Sequence, residues 1–352
     1  MTTVAPRPTR TTPDPVTTED RQTGRRTETR AGWFFSLPFL ILYAVFLIGP
    51  TLYGLAMSFF NTTTVKGGLG DFVGIDNYRE ALSSNEFWSS MWHTILFTIV
   101  STPILVVLAL AFAILAERVR RGRWFYRLVF FAPYVVPSAS VVLIFTWLYA
   151  PQIGLINKAF TLLGFTAPNW SGTQAWAMTS VILLTVWWTV GFNFVLYLAG
   201  LQDIPADLYE AAATDGASGW QQIKSITFPL LRRTTALVVI LQLLSSLRVF
   251  DQIYLLLQGG PNYTTRPVIE YIYDVGFTDF RAGYAAAATM VYFVVLLIVS
   301  LGWFLMNRHR ADPADTDPNQ AGPNQADPNA TAQAGEPSTA VRSPAPDTAR
   351  EI

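Results

Sequence analysis

Cysteine is absent from the 352 residues, which excludes disulfides, thiolate metal sites and a cysteine nucleophile. Histidine is nearly absent: His93 and His309 lie far apart, so no metal site is expected. Charge is scarce, with Asp, Glu, Lys and Arg making up 14% of the chain against about a quarter in a soluble domain. What charge there is balances, 24 basic residues against 24 acidic, and nothing in that balance suggests a nucleic-acid partner. A G-x-x-x-x-G-K-[ST] phosphate loop is also missing, and Gly259-Gly260-Pro261 lacks the lysine, so this chain has no such means of binding ATP. No residue is assigned as catalytic, no cofactor is expected, and the chain is read as a non-enzyme.

Apolar residues dominate instead, at 51% of the chain, with 14% aromatic. Spanning the roughly 30 Å hydrocarbon core takes about 20 mostly apolar residues. Six stretches qualify, at 33–60, 92–116, 128–149, 176–199, 234–257 and 284–306. The fold expected is an all-α integral membrane protein of six transmembrane helices, with a membrane domain over 31–310 embedded in a lipid bilayer. The first stretch follows about thirty polar residues and has no small-residue cleavage site, so it reads as a retained helix. Residues 1–30 and 311–352 read as disordered arms: the first is rich in Thr, Pro and Arg, and the second repeats Asp-Pro-Asn-Gln, Gly-Pro-Asn-Gln and Asp-Pro-Asn-Ala from 317 without an apolar face.

Orientation follows from arginine and lysine in the short loops. Arg7, Arg10, Arg21, Arg25, Arg26 and Arg30, then Arg118, Arg120, Arg121, Arg123 and Arg127, then Lys224, Arg232 and Arg233 all fall on one side. The other side holds only Lys66, Arg79, Lys158, Arg266 and Arg281. Both termini and the loop 200–233 are therefore expected to be cytoplasmic, in a multi-pass protein of the cell membrane.

That loop is the most informative stretch. From Glu210 it runs E-A-A-x3-G-x9-I-x-F-P, through Ala211, Ala212, Asp215, Gly216 and Ile226 to Phe228 and Pro229. Asp203 followed by Pro205 predicts a helix start, Leu208 to Ala213 are strong helix formers, and Gly216 is placed to end the helix. Ser218 predicts the cap of a second short helix through Ile226, stopped by Pro229. The small side chains of Ala211 and Ala212 leave a flat face that another protein can approach, with Asp207 and Glu210 on the same surface; an ordinary amphipathic surface helix is the plainer reading.

Polar residues inside the spans mark a candidate solute path. The fifth span carries Gln242, Ser245, Ser246, Arg248 and Asp251, and an intramembrane Arg or Asp costs about 2.5–3.5 kcal/mol even on insertion scales. These residues must face protein or water. Arg248 and Asp251, three apart, can pair on one helical face or line a path. Trp188, Thr189, Phe192 and Asn193 in the fourth span mix rings with polar groups in the same way. Flat rings beside amides and hydroxyls suit a sugar, which stacks through its C–H faces and hydrogen-bonds through its hydroxyls. Thr189 and Ser246 could instead bond their own helix carbonyls. Pro38, Pro50, Pro103, Pro133 and Pro137 mark expected kinks.

The Glu-Ala-Ala-x3-Gly pattern with Ile226-Thr227-Phe228-Pro229 resembles the cytoplasmic loop of permease subunits of binding-protein-dependent ATP-binding-cassette (ABC) importers, with Phe228 where the family usually has Leu. Phe72-Val73-Gly74-Ile75-Asp76-Asn77-Tyr78, Phe130-Phe131-Ala132-Pro133, Val190-Gly191-Phe192-Asn193 and Phe250-Asp251-Gln252-Ile253-Tyr254 leading to Gly259-Gly260-Pro261 are similar to its sugar-type subgroup, the first of two permeases (maltose/glycerol-phosphate-like). The resemblance spans about 33–308. It implies a second, homologous permease, two cytoplasmic ATPase subunits, one of which holds the Glu210 loop in a groove, and an extracellular solute-binding protein; this chain would form half of the pathway. A non-sugar solute such as glycerol-phosphate or an amino acid is the alternative. An ion-driven secondary transporter is a further rival, but no repeat between the two halves is evident and Asp251 is the sole carboxylate in the spans.

Overall fold

The computed structural model describes residues 35–65, 67–119 and 122–308. The two arms, Lys66, Arg120 and Arg121 lie outside the described residues. The described part packs as one unit as far as Phe304. Its regular structure is helical, with a single isolated antiparallel bridge between Phe60 and Phe72.

Four helices are long and apolar enough to cross a membrane: α1 (Phe35–Met57), α3 (Asn85–Arg118), α7 (Gln174–Gln202) and α13 (Ala282–Arg308), with the short α2 (Asp76–Ser83) between the first two. The third expected span is a bent pair, α4 (Arg123–Val135) and α5 (Ser138–Leu148), at 96° to each other. Pro137 lies at the break with extended ψ of 142°, since proline and the residue before it both resist continuing a helix. A short α6 (Leu155–Leu162) follows.

In the loop before the fifth span, α8 (Ala206–Thr214) is joined to α9 (Gly219–Leu230), which bends by 66° into α10 (Arg232–Leu247). Here two expectations are corrected. Asp203 does not cap α8; α7 runs to Gln202, which makes Asp203 its last half-turn, and Pro205 occupies the position before α8. Nor does α9 end at Ile226: a π turn at Ile223–Thr227 carries it on, and it stops at Leu230, one residue past Pro229, where the chain bends by 66° into α10. The Ser218 cap is present, with Gln221 completing a reciprocal capping box.

The fifth span is interrupted too. After α10 the backbone leaves helical geometry at Arg248 and Phe250 and resumes as α11 (Asp251–Leu257). The freed Leu247 carbonyl accepts from the Tyr292 hydroxyl of α13. Beyond it, α12 (Val268–Tyr273) precedes α13.

Helix α7 is the centre of the packing, lying against α3, α4 and α10. Leu105, Ala109 and Ala113 of α3 meet Val190, Phe194, Tyr197 and Leu201 of α7 and Val238 of α10 in the largest apolar cluster. Small residues permit this closeness: a Cβ on Gly191 would collide with the Phe130 backbone carbonyl of α4. By contrast, no residue in the apolar window of α1 is buried, so that helix offers its whole circumference to lipid or another subunit. At the far end from α8, Asn77 is buried and donates to the carbonyls of Ser58 and Phe60, both at 3.0 Å, pinning α2 onto the end of α1.

Candidate functional site

A chamber of about 420 Å³ opens where the fifth span is broken, lined by Phe97, Tyr134, Thr185, Trp188, Thr189, Gln242 and Ser245 together with Ser246 and 248–252. Irregular backbone at membrane depth is tolerated only against protein or water, and the break at Arg248–Phe250 forms part of this wall. Six of the eight expected path residues line the chamber: Trp188, Thr189, Gln242, Ser246, Arg248 and Asp251. Phe192 and Asn193 stand just behind. Phe192 stacks on Tyr134 at 5.2 Å, and Asn193, fully buried, donates from Nδ2 to Gln242 Oε1 at 2.7 Å.

The polar wall is a connected network. Gln242 Nε2 donates to Ser246 Oγ at 2.9 Å, and Thr102 Oγ1 of α3 donates to the same oxygen at 3.3 Å. Ser246 therefore bonds between helices, whereas Thr189 does bond its own helix, donating to the Thr185 carbonyl at 2.7 Å. Gln252 Nε2 reaches Thr185 Oγ1 at 3.3 Å, joining α11 to α7. Trp188 Nε1 donates to the Val136 carbonyl at 3.1 Å, a group released by the α4–α5 break. The Arg248–Asp251 pair does not form, because the non-helical turn between them removes the shared face; Arg248 Nε instead donates to the Leu244 carbonyl at 3.1 Å.

Residues missed by sequence reading are instructive. Thr185 lies one turn before Thr189 and could have been found by that spacing. Tyr134, Phe97 and Phe250 carry no local signal, since an aromatic residue in an apolar span is usually packing. Tyr134 reaches the chamber only because α4 crosses α7 so closely at Gly191.

The second candidate region is the surface formed by α8 and α9. Glu210, Ala211, Asp215 and Gly216 are exposed, and Ala212 and Ile226 are half-buried. Gly216 follows α8 with φ of +81°, a left-handed conformation that suits glycine as a helix terminator. The two helices are fastened together: Ala217 N donates to the Ala212 carbonyl at 2.9 Å and Tyr209 hydroxyl meets Thr227 Oγ1 at 2.9 Å. A cleft of about 620 Å³ beside them is walled by Arg118 at the end of α3 and by Gln202, Pro205, Tyr209 and Gln222.

Comparison with known proteins supplies the family context. Residues 109–310 match the profile described as the binding-protein-dependent transport system inner membrane component. The chain is similar to the trehalose/maltose transport system permease protein MalF of Thermococcus litoralis, 36% identical over 81% of this chain and 96% of that protein. It is also similar to the sulfoquinovosyl glycerol transport system permease protein SmoG of Agrobacterium fabrum, 32% identical over 75% of this chain and 85% of the relative. Among solved structures, a chain of a bacterial ABC transporter involved in the import of the acidic polysaccharide alginate superposes with a TM-score of 0.72 at 26% identity, covering 83% of this chain and 100% of the other.

Proposed function

The chain belongs to the family of binding-protein-dependent transport system inner-membrane components, and from that premise we propose that it is the permease subunit of an ATP-driven importer, forming half of the path for a carbohydrate delivered by a separate binding protein. The chamber carries this reading. Its rings and its amide and hydroxyl groups, held in a fixed network at a broken span, offer stacking faces and hydrogen-bonding edges to a hydroxylated solute. Relatives and the alginate structure point to glycans as the class of cargo.

In this reading a homologous permease covers the exposed apolar faces, and one of two ATPase subunits docks on the α8–α9 surface. Glu210, Ala211, Ala212, Asp215 and Gly216, with Ile226 and Pro229 behind, would form the docking element. Because α9 continues through one bend into α10, movement at the cytoplasmic surface passes as a rigid-body displacement to Gln242, Ser246 and the chamber wall. Both termini and this loop lie on the cytoplasmic side of the cell membrane.

Purification of the tagged chain from its native membrane, followed by reconstitution and sugar uptake, tests the proposal. A second permease and an ATPase should accompany it, and uptake should require ATP. Glu210→Lys should leave insertion intact yet lower uptake about tenfold, the equivalent of about 1.4 kcal/mol of docking energy. Ser246→Trp should block uptake while the ATPase still co-purifies. Recovery of the chain alone, with uptake driven by an ion gradient, would overturn the importer reading.

A further inference from the structure

A second pocket, of about 460 Å³, lies at the opposite end from α8, lined by Asn85, Glu86, Ser89, Ser90, His93, Gln174, Tyr263, Arg266 and their neighbours. It shares no lining residue with the chamber. Every lining residue carries a polar group, although their stems and rings supply more of the pocket surface than those groups do, and its ring is built as a platform. Tyr263 is 59% exposed and sits in a tight loop at φ of +57°. The Arg266 guanidinium lies 4.2 Å from its ring centroid, a cation–π contact that fixes the ring. Arg266 is itself buried and held by Glu86 at 3.3 Å and Asp274 at 3.7 Å, while its backbone carbonyl meets His93 Nδ1 at 3.2 Å. A ring held on one side by a buried, neutralised arginine is available on the other, beside Gln174, Asn262 and the serines.

This pocket is in line with the chamber. On α7, Gln174 lines the outer pocket, Met178 and Ile182 follow at one-turn intervals, and Thr185 and Thr189 line the chamber. On α3, His93 lines the outer pocket and Phe97, one turn on, reaches the chamber. Between the two lies an apolar septum of Phe97, Met178, Val181, Ile182, Val249 and Ile253. From Gln174 to Thr185 is about 16 Å at 1.5 Å per residue. Two helices thus carry the same succession: polar pocket, apolar septum, polar chamber.

We propose that the outer pocket is a carbohydrate subsite in series with the chamber, with Tyr263 as stacking platform and Gln174 as hydrogen-bonding partner, so that the cargo is an oligosaccharide long enough for rings near its two ends to occupy both sites once the septum parts. This rests on the importer reading above. It adds a location, two residues and a length for the cargo, several rings bridging about 16 Å.

The test uses the complete reconstituted importer with its binding protein and a panel of glucose, galactose, cellobiose, maltotriose, xylotriose and maltopentaose. The wild type should move multi-ring probes. Tyr263→Ala and Gln174→Ala should each lower that uptake about tenfold and change any single-ring uptake less than about twofold, a loss in the range of one stacking or hydrogen-bonding contact. Tyr263→Phe keeps the platform and should behave as wild type, which separates a lost contact from a misfolded loop. Uptake of single rings alone overturns the subsite, as does an equal loss at every ring count or none in either variant, and each leaves the carbohydrate reading standing. An importer that hydrolyses ATP with its binding protein yet moves no member of the panel overturns the carbohydrate reading and the subsite together.

Discussion

The chamber wall and the α8–α9 surface are built on opposite rules. In the chamber, Asn193, Gln242, Ser246 and Thr102 bond one another across three helices, and Gln252 bonds Thr185 in one more contact of the same kind. On the α8–α9 surface, Glu210, Asp207 and Trp220 stand exposed, solvated until a partner covers them. Burial of a polar group demands an internal partner, so chamber residues are tied to the fold itself. Exposed groups are free of that demand and can be altered at little cost to folding. Equivalent substitutions should therefore have unequal consequences in the two places.

The sharpest contrast is between two glycines. Gly191 lies where α7 crosses α4, and a methyl group there meets the Phe130 backbone, which cannot rotate away. Gly191→Ala should cost about 3 kcal/mol or more, the upper end for overpacking, and lower the thermal unfolding midpoint of the purified protein. Gly216 meets nothing within 4 Å and is constrained only by its φ of +81°. Gly216→Ala should cost about 1–2 kcal/mol, the strain of a left-handed alanine, with insertion unchanged. Equal midpoints for the two variants would break the comparison.

A middle-sized effect is expected inside the chamber network. Gln242→Leu leaves the buried Asn193 amide without its 2.7 Å partner and should destabilise by about 1–3 kcal/mol. The double variant Asn193→Leu/Gln242→Leu removes both polar groups and should recover part of that loss, because the unmatched group is what carries the penalty. If the double variant is less stable than the sum of the singles, the network does not behave as a buried pair.

The same two regions differ in how far the sequence disclosed them. On the α8–α9 surface the signals were local and survived intact: Gly216 ends α8 and Ser218 with Gln221 caps α9. The failures there, Asp203 as a cap and Ile226 as an end, concern boundaries, where α7 and α9 overran their expected ends. In the chamber, Gln242 and Ser246 were legible because polarity is conspicuous in an apolar span, and they do line it. The break at Arg248–Phe250 was not: Arg248 and Asp251 marked the span as polar there but read as one helical face, and the Leu247 carbonyl that the break frees is taken up by Tyr292, forty-five residues on. Likewise the kink near Pro137 was legible, but its angle of 96° is set by packing of α4 on α7. Long-range contacts decided what local pattern could not.

The case that carries the burial rule to a charged group concerns Glu270 in α12. Its side chain is 2% exposed and its Oε2 has no hydrogen-bond partner. Burial, helped by the nearby Asp274 carboxylate and opposed by Arg266, pushes its pKa from 4.5 up to about 7. Between those values the folded protein holds a proton that the unfolded chain has released, so stability falls as pH rises through the interval. The contribution is fully present below pH 4.5 and gone above about 7. Asp274, also raised by burial, acts in the same direction. The thermal midpoint should therefore be lower at about pH 8 than at about pH 5.5. Glu270→Gln preserves the shape without the charge, so it should reduce that difference to the residue left by Asp274 and raise the midpoint at the higher pH. An undiminished pH dependence in the variant would mean that Glu270 is ionised throughout, and that a buried carboxylate here is tolerated in the way the exposed Glu210 is.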